Sequence, residues 1–387
     1  MIYLDHHATT PLDPAVMEAM LPWMTTHFGN PHSRSHAIGR HAADACDDAL
    51  RLLERLVGGE PGSMFVTGGA TESTNLAIEG VMRHPRQRRR HIITSAIEHP
   101  AVLDPIRRLG REGFRVTILP VRLQDDPACG QVDPETLRAA IDDDTALVSI
   151  IWANNEIGTL QSVRQLADIS HAAGALFHTD ASQALGRITV DVETADVDLL
   201  SGSAHKFYGP KGVGLLYVGS RRRRVRLRPL VEGGGQQRGL RSGTINPAGL
   251  IGMAEALRIC TDELPWRRDA TRLLRNELWS RLRAAWPTIS LNGPDLAPER
   301  RLAENLNVSL ADVEGESMMA AATELAISSG AACSSVDPRP SPVLTAIGLS
   351  ESRARRSLRF GLGRATTPEE IAEAVAMLIT AHDKLTG

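Results

Sequence analysis

Ser203-Ala204-His205-Lys206, running on into Phe207-Tyr208-Gly209-Pro210-Lys211-Gly212, closes the part of the chain whose rhythm decides the fold. From residue 63 to this point, short apolar runs alternate with helical segments. The runs are 63–67, 91–95, 114–120, 145–152, 175–179, 196–201 and, just beyond, 213–218. Helices are expected at 71–82, 100–111, 134–141 and 162–173. This alternation predicts an α/β fold with a mostly parallel sheet covered on both faces. Ligands of such sheets bind outside the carboxyl ends of the strands. That rule picks out 67–72, 95–99, 152–156, 180–183 and 201–206.

The opening stretch is also chemically unusual. The chain has 43 Lys and Arg residues, and only Lys206, Lys211 and Lys384 are lysines. Arginine keeps its proton at any working pH, whereas a lysine with a lowered pKa is a nucleophile. Lys206 is thus a candidate for a Schiff base with a carbonyl cofactor, and two solvated loop lysines are the plain alternative.

Outward from this core, residues 1–13 read as extended, with helices at 15–26 and 37–57. Helical segments from Pro247, interrupted at Pro265, lead to a smaller α+β part. It comprises 302–310, a helix 315–325, a loop 328–342, an extended run 356–362 and a helix from Pro368, which Thr367 and Glu370 cap. The boundaries expected are 14–255 for a large domain, with 1–13 and 256–387 forming a small one.

The net charge of −3 offers no nucleic-acid or membrane partner. The run Arg221–Arg224 is short, has no interleaved aromatics, and reads as a solvated rim. Cys46, Cys129, Cys260 and Cys333 form no C-x-x-C pair, which suits a reducing compartment. No signal peptide or membrane span is evident, so a cytoplasmic protein is expected. His32, His36 and His41 lack a matching carboxylate set, and no metal site is expected.

Several strand ends carry functional groups. Gly68-Gly69-Ala70-Thr71-Glu72-Ser73 could form a phosphate cup of small residues at a helix start, or be an ordinary strand–helix turn of Gly and Thr. Asp180 could pair with a protonated ring nitrogen or cap a helix. His99 could stack on a flat ring and shuttle protons, or cap the helix that Pro100 begins. Asn154-Asn155-Glu156 could bind cofactor, substrate or a turn. Cys333, in Gly330-Ala331-Ala332-Cys333-Ser334-Ser335, is flanked by small residues that would leave a thiolate unhindered.

Taken in order, these motifs resemble the cysteine desulfurases, pyridoxal-phosphate (PLP) enzymes of the class V aminotransferase family with the aspartate-aminotransferase fold. The resemblance spans Tyr3-Leu4-Asp5 to Gly361-Leu362-Gly363-Arg364. It includes Phe28-Gly29-Asn30-Pro31, Glu98-His99, Asp180-Ala181-Ser182-Gln183, His205-Lys206, Arg241-Ser242-Gly243-Thr244 and, most discriminating, Ser328-Ser329-Gly330-Ala331-Ala332-Cys333 of the longer-loop branch.

The resemblance implies that Lys206 forms the Schiff base, His99 stacks on the ring and Asp180 pairs with its nitrogen. It puts Gln183 on the phenolic oxygen. Ala70, Thr71, Ser203 and His205 would hold the phosphate, with Thr244 supplied by the second subunit of a homodimer. Asn155 and Arg359 would bind the substrate carboxylate. Cys333 would take the sulfur of L-cysteine as a persulfide, leave L-alanine, and pass the sulfur to an acceptor protein. Iron–sulfur cluster assembly, tRNA thiolation and DNA phosphorothioation are the uses such sulfur could have. A class V aminotransferase, a selenocysteine lyase and a non-catalytic sulfur-transfer scaffold are the alternatives.

Two departures stand out. Asp5-His6-His7 replaces the commoner Asp-Asn-Asn, and Gln236-Gln237 replaces Gln-Glu. Pro338, Pro340 and Pro342 are expected to stiffen the far side of the cysteine loop, so that Cys333 swings about Gly330.

Overall fold

The computed structural model describes residues 1–329 and 340–387. Cys333, Gly330 and Pro338, with the expectation about the loop's stiffness, lie outside the described residues.

The chain begins with β1 (Ile2–Tyr3), α1 (Pro14–Met24) and α2 (Ala37–Leu56). Alternation follows: β2 (Met64–Thr67), α3 (Ala70–Met82), β3 (His91–Ser95), α4 (Pro100–Arg111), β4 (Arg115–Leu119), α5 (Pro134–Ala140), β5 (Thr145–Ser149), α6 (Val163–Ala172), β6 (Leu176–Asp180), α7 (Val192–Ala195), β7 (Leu199–Ser203) and β8 (Gly214–Val218). After α8 (Pro247–Ala285) come β9 (Ser290–Leu291), β10 (Asn305–Ser309), α9 (Gly315–Ala321), β11 (Leu325–Ala326), β12 (Ser328–Ser329), α10 (Pro342–Ala346), α11 (Glu351–Arg355), β13 (Ser357–Gly361) and α12 (Pro368–Thr386).

Strands β2 to β8 form one seven-stranded sheet in the order β2-β8-β7-β6-β5-β3-β4. The pairs among β3, β4, β5, β6 and β7 are parallel, and β8 runs antiparallel to both its neighbours. Apolar residues succeed one another along these strands because each face meets its own core. Ile92, Leu147, Leu199 and Leu216 join a cluster with Ile78, Val102 and Ile106 of α3 and α4. Their chain neighbours Ile93, Val148, Leu200 and Leu215 join the opposite cluster, with Leu53 of α2, Leu166 of α6 and Leu257 of α8. The two-residue side-chain period of a strand thus serves two apolar layers at once.

A third cluster unites Ile2 and Leu4 with Leu278 and Leu282 of α8, Val308, Phe360 and, in α12, Leu378. It lies with the antiparallel sheet β12-β13-β10-β9, while β1 pairs with β11 in parallel. The α12 start carries the reciprocal Thr367–Glu370 capping box.

Three expectations need correction. The helix from Pro247 is not interrupted at Pro265 but runs on for 39 residues to Ala285. A proline removes one N–H from the helix ladder; here packing at both ends, against two different cores, carries the helix through. The helix expected at 315–325 stops at Ala321, because Leu325 and Ala326 are drawn into register with Ile2 and Tyr3. Finally Val343, Leu344, Ile347 and Leu349 pack with the core of the large sheet rather than with the third cluster.

Candidate active site

A cleft of about 1050 Å³ opens at the carboxyl ends of β5, β6 and β7. Ala70, Thr71, His99, Asn155, Asp180, Gln183, Ser203, His205, Lys206 and Arg359 all line it. Thr244 does not; it is exposed, on the segment between β8 and α8.

Lys206 ends a single turn of 3-10 helix that follows β7 directly. Its Nζ donates to the carbonyls of His7 (2.8 Å) and Ala8 (2.7 Å), which aims it at the cleft floor from the chain's first loop. The preceding His205 is fixed by the same loop: its Nδ1 lies 3.0 Å from Thr9 Oγ1, and its carbonyl accepts from Thr10 N and Oγ1. Burial, with Lys206 and Lys211 nearby, pulls the His205 pKa down to about 4, so its ring is neutral at pH 7.

Asp180 terminates β6. Its Oδ1 accepts from Ser182 N (2.9 Å) and Ser182 Oγ (2.6 Å). Among the described residues no protein donor takes Oδ2. The residue therefore both makes the turn after its strand and keeps one carboxylate oxygen for the cleft.

His99 likewise does two things. It is the N-cap of α4, with Nδ1 accepting from Ala101 N at 3.1 Å, and its ring lines the cleft. Since Nδ1 accepts, the proton of the neutral ring sits on Nε2. Burial lowers its pKa and the nearby Asp180 raises it, the former prevailing. Beneath it Glu98 is fully enclosed. Oε1 accepts from Ser95 Oγ (2.5 Å) and Ile151 N (2.9 Å), and burial pushes the carboxyl up to about 8.

The start of α3 is open to the cleft. Its N-cap, Gly69, has φ 152° and supplies no side-chain acceptor, so the first N–H groups of a 13-residue helix face the cavity beside Ser203. That is an anion site by backbone geometry and helix dipole. Gly214 of β8 passes so close that a Cβ there would lie 2.5 Å from Gly69 C. The one acid in the turn, Glu72, is met by Arg241, whose Nε is 2.7 Å from Oε1.

Arg359 comes from β13 of the smaller sheet. Nη2 donates to Asp5 Oδ1 (2.8 Å) and Ser328 Oγ (2.7 Å), and Nη1 to the carbonyl of Asn155 (3.3 Å). Its Nε is buried with no partner among the described residues. Three of the five guanidinium hydrogens are therefore engaged, and those on Nε and the second position of Nη1 remain for an incoming carboxylate. An unpaired buried donor of this kind costs about 1–3 kcal/mol, and its partner would recover that.

These groups fit a phosphorylated hydroxypyridine aldehyde. A lysine, an unengaged carboxylate oxygen, a neutral ring with its proton on Nε2 and an open helix start line a single cavity.

Sequence reasoning missed other lining residues. Lys211, left without chemistry, stands on the cleft rim with Gly212, and Leu230 and Val231 complete that side. His7 lies on the floor. The remaining thiols do not compete as nucleophiles: burial pushes Cys46 and Cys129 to about 12 and Cys260 to about 11. The arginine run is largely spent on intramolecular pairs, Arg221 with Glu193, Arg222 with Asp196, and Arg223 with Asp196 and Asp198. His36 caps α2, and His41 stacks on Trp23 at 5.1 Å between ring centroids.

The fold is that of the transferases of the aspartate-aminotransferase class, and comparison with known proteins narrows the class. The aminotransferase class-V family model matches residues 2–373. The cysteine desulfurase IscS of Rickettsia rickettsii is 44% identical over 384 residues, 99% of this chain and 92% of that one. A solved NifS-like protein superposes with a TM-score of 0.89 at 34% identity, covering 99% of both chains. A structure described as SspA in complex with cysteine gives 0.81 at 34% identity, over 95% of this chain and 100% of that one. The chain belongs to the class V aminotransferase family, in its cysteine desulfurase branch, whose members depend on PLP.

Proposed function

We propose that this chain binds PLP on Lys206 and converts L-cysteine to L-alanine, with the sulfur retained as a persulfide on Cys333. The observation that carries this reading is the convergence of Lys206, Asp180, His99 and the open start of α3 on one cleft, with Arg359 reaching in from the other sheet. PLP, when bound, supplies an electron sink that makes the carbon–sulfur bond of the substrate breakable. Asp180 Oδ2 holds the proton of the pyridine nitrogen. The N–H groups of Ala70 and Thr71, with Ser203 and His205, hold the phosphate. Gln183 serves the phenolic oxygen. Arg359, with Asn155, would receive the carboxylate of L-cysteine and so fix the substrate in the cleft. His99 moves a proton at Nε2, and Lys206 moves one at Nζ.

The sulfur acceptance by Cys333 rests on the sequence around it. The thiol of Cys333 attacks the substrate sulfur, the carbon–sulfur bond breaks, and the carbon left behind is protonated to give L-alanine. The persulfide then passes to an acceptor protein, a scaffold or carrier; direct nucleic-acid binding is not part of this reading. We further propose a homodimer, because Thr244 is exposed and away from its own chain's cleft and would reach a site only in a second copy. No helix among the described residues is long and apolar enough to cross a membrane, and we place the enzyme in the cytoplasm.

The test is incubation with L-cysteine and a reductant, assaying alanine and sulfide, beside Cys333→Ser. Equal alanine and sulfide from the parent, and loss of both in the variant, is the expected result. Sulfide release by the variant at the parent's rate would overturn the persulfide step.

A further inference from the structure

The first loop of the chain holds a buried histidine that the reading above does not use. His7 is 1% exposed, lines the cleft, and its buried Nε2 has no hydrogen-bond partner among the described residues. Its carbonyl and its Nδ1 are both engaged. Its carbonyl accepts from Lys206 Nζ (2.8 Å) and from Gln183 Nε2 (2.9 Å). Its Nδ1 lies 3.0 Å from Gln183 Oε1 and 3.0 Å from Arg187 Nη1.

These contacts assign the tautomer. Arg187 can only donate. It is fully enclosed, and its Nη1 also donates to Gln183 Oε1, while Nη2 donates to the carbonyls of His6 (2.7 Å) and Lys206 (3.2 Å). The two hydrogens of Nη1 serve two acceptors, Gln183 Oε1 and His7 Nδ1. A hydrogen on His7 Nδ1 would have Gln183 Oε1 in reach, but it would also stand against the guanidinium that already donates to that oxygen. Nδ1 is therefore bare, and the single proton of the ring sits on Nε2. A doubly protonated ring is excluded by burial first and by Arg187, Arg359 and Lys206 around it, which together hold the pKa well below its ordinary value.

The same contacts narrow what Nε2 can meet. Gln183 is the residue assigned to the phenolic oxygen of PLP, yet its amide oxygen is taken by Arg187 and one of its amide hydrogens by the His7 carbonyl. His7 thus sits between the lysine that carries the cofactor and the glutamine assigned to its ring oxygen, bonded to both, with one donor unspent. A buried N–H without an acceptor is unfavourable, and a ligand oxygen at Nε2 would relieve it.

We propose that His7 is a further cofactor-binding residue, whose Nε2–H donates to the phenolic oxygen of PLP beside Gln183. This rests on the reading of the cleft as a PLP site and deepens it. Such a bond withdraws negative charge from the ring oxygen, and so lowers the proton affinity of the adjacent nitrogen contributed by Lys206.

The test uses the holoprotein, stripped of PLP and titrated with it again. His7→Asn keeps an atom near the Nδ1 position, facing Gln183 and Arg187, and removes the donor at Nε2. His7→Gln restores an amide hydrogen near the Nε2 position. The Asn variant is expected to bind PLP about tenfold more weakly, the size of one charge-assisted hydrogen bond. The pH midpoint of its visible absorption band should rise, and the Gln variant should recover most of both effects. Binding and band unchanged in His7→Asn, or equal losses in both variants, overturn the proposal. Should the Asn variant not fold, the parent labelled with 15N-histidine reads the same bond. A new, slowly exchanging Nε2 proton is expected on adding PLP, and its absence overturns the inference. A parent that binds no PLP at all would instead remove the functional reading beneath it.

Discussion

Gln237 stands where the family usually has glutamate, and the structure gives that departure a physical reason that can be tested. β2 is an edge strand of the main sheet. Gln237 clamps its open edge: Oε1 accepts from Val66 N at 2.7 Å, and Nε2 donates to Val66 O at 2.8 Å. The clamp holds Gln237 and Arg238 at φ 49° and 60°, a left-handed pair with no glycine in it. Arg238 adds its guanidinium over the Phe65 ring, 4.5 Å from the centroid. Gln237→Glu keeps the acceptor and loses the donor, and sets a carboxylate oxygen against the Val66 carbonyl. Losing the bond costs about 1 kcal/mol and the repelled, unpaired carbonyl about 1–3 more, so a loss of about 2–4 kcal/mol is expected at pH 7.5. Urea unfolding of parent, Gln237→Glu and Gln237→Met measures it. The Met variant leaves both Val66 groups to water at the edge and should lose less than the Glu variant. The Glu deficit should also shrink as pH falls toward 5, because a protonated carboxyl can donate to Val66 O again. A Glu variant as stable as the parent, or a deficit that does not move with pH, would refute the reasoning.

Two other outcomes follow from the cleft walls. Burial lifts Glu98 from an ordinary value near 4.5 to about 8. The unfolded chain therefore releases this proton first, and between those pH values the folded chain binds more protons. Stability from this group falls as pH rises through that window, by about 1.4 kcal/mol per pH unit, and levels off above it. Glu98→Gln removes the titration, so thermal melts should show the parent losing ground to the variant from pH 5 to 8; parallel profiles would contradict the assignment. Arg359→Lys replaces a planar fork by one ammonium, which cannot serve Asp5, Ser328, the Asn155 carbonyl and a substrate carboxylate together. Its KM for L-cysteine should rise at least about tenfold with PLP binding retained, and an unchanged KM would remove Arg359 from the substrate site.

How much of this was legible in the sequence depended on whether the cause was local. The parallel sheet was readable because a central strand buried on both faces is apolar on successive residues, as in Ala146-Leu147-Val148. The strand-end rule then pointed to Asn155, Asp180 and Lys206, which the structure brings to one cleft. His7 was not found that way. Its role depends on hydrogen bonds to Gln183 and Arg187, some 176 and 180 residues away, and no spacing or periodicity encodes them. The only signal was that it departs from the family's usual asparagine. Pro265 misled for a related reason: a proline's local cost is visible in sequence, whereas the two cores that keep α8 continuous through it are not. The pairing of Leu325 with Ile2 is equally long-range, and it ended a helix that local pattern would have continued. Asp180 and His99 each make a local hydrogen bond with one atom and leave another for the cleft, so the local role does not exclude the proposed one.

The central claim is that Lys206, and not Lys211 on the same cleft, carries the cofactor. Borohydride reduction of the PLP-loaded protein, followed by proteolysis and mass spectrometry, tests it directly. A pyridoxyl group on the peptide at Lys206, with loss of the visible band in Lys206→Ala, is the result predicted. Label at Lys211 instead, or a loaded protein that reduction leaves unlabelled, would contradict it.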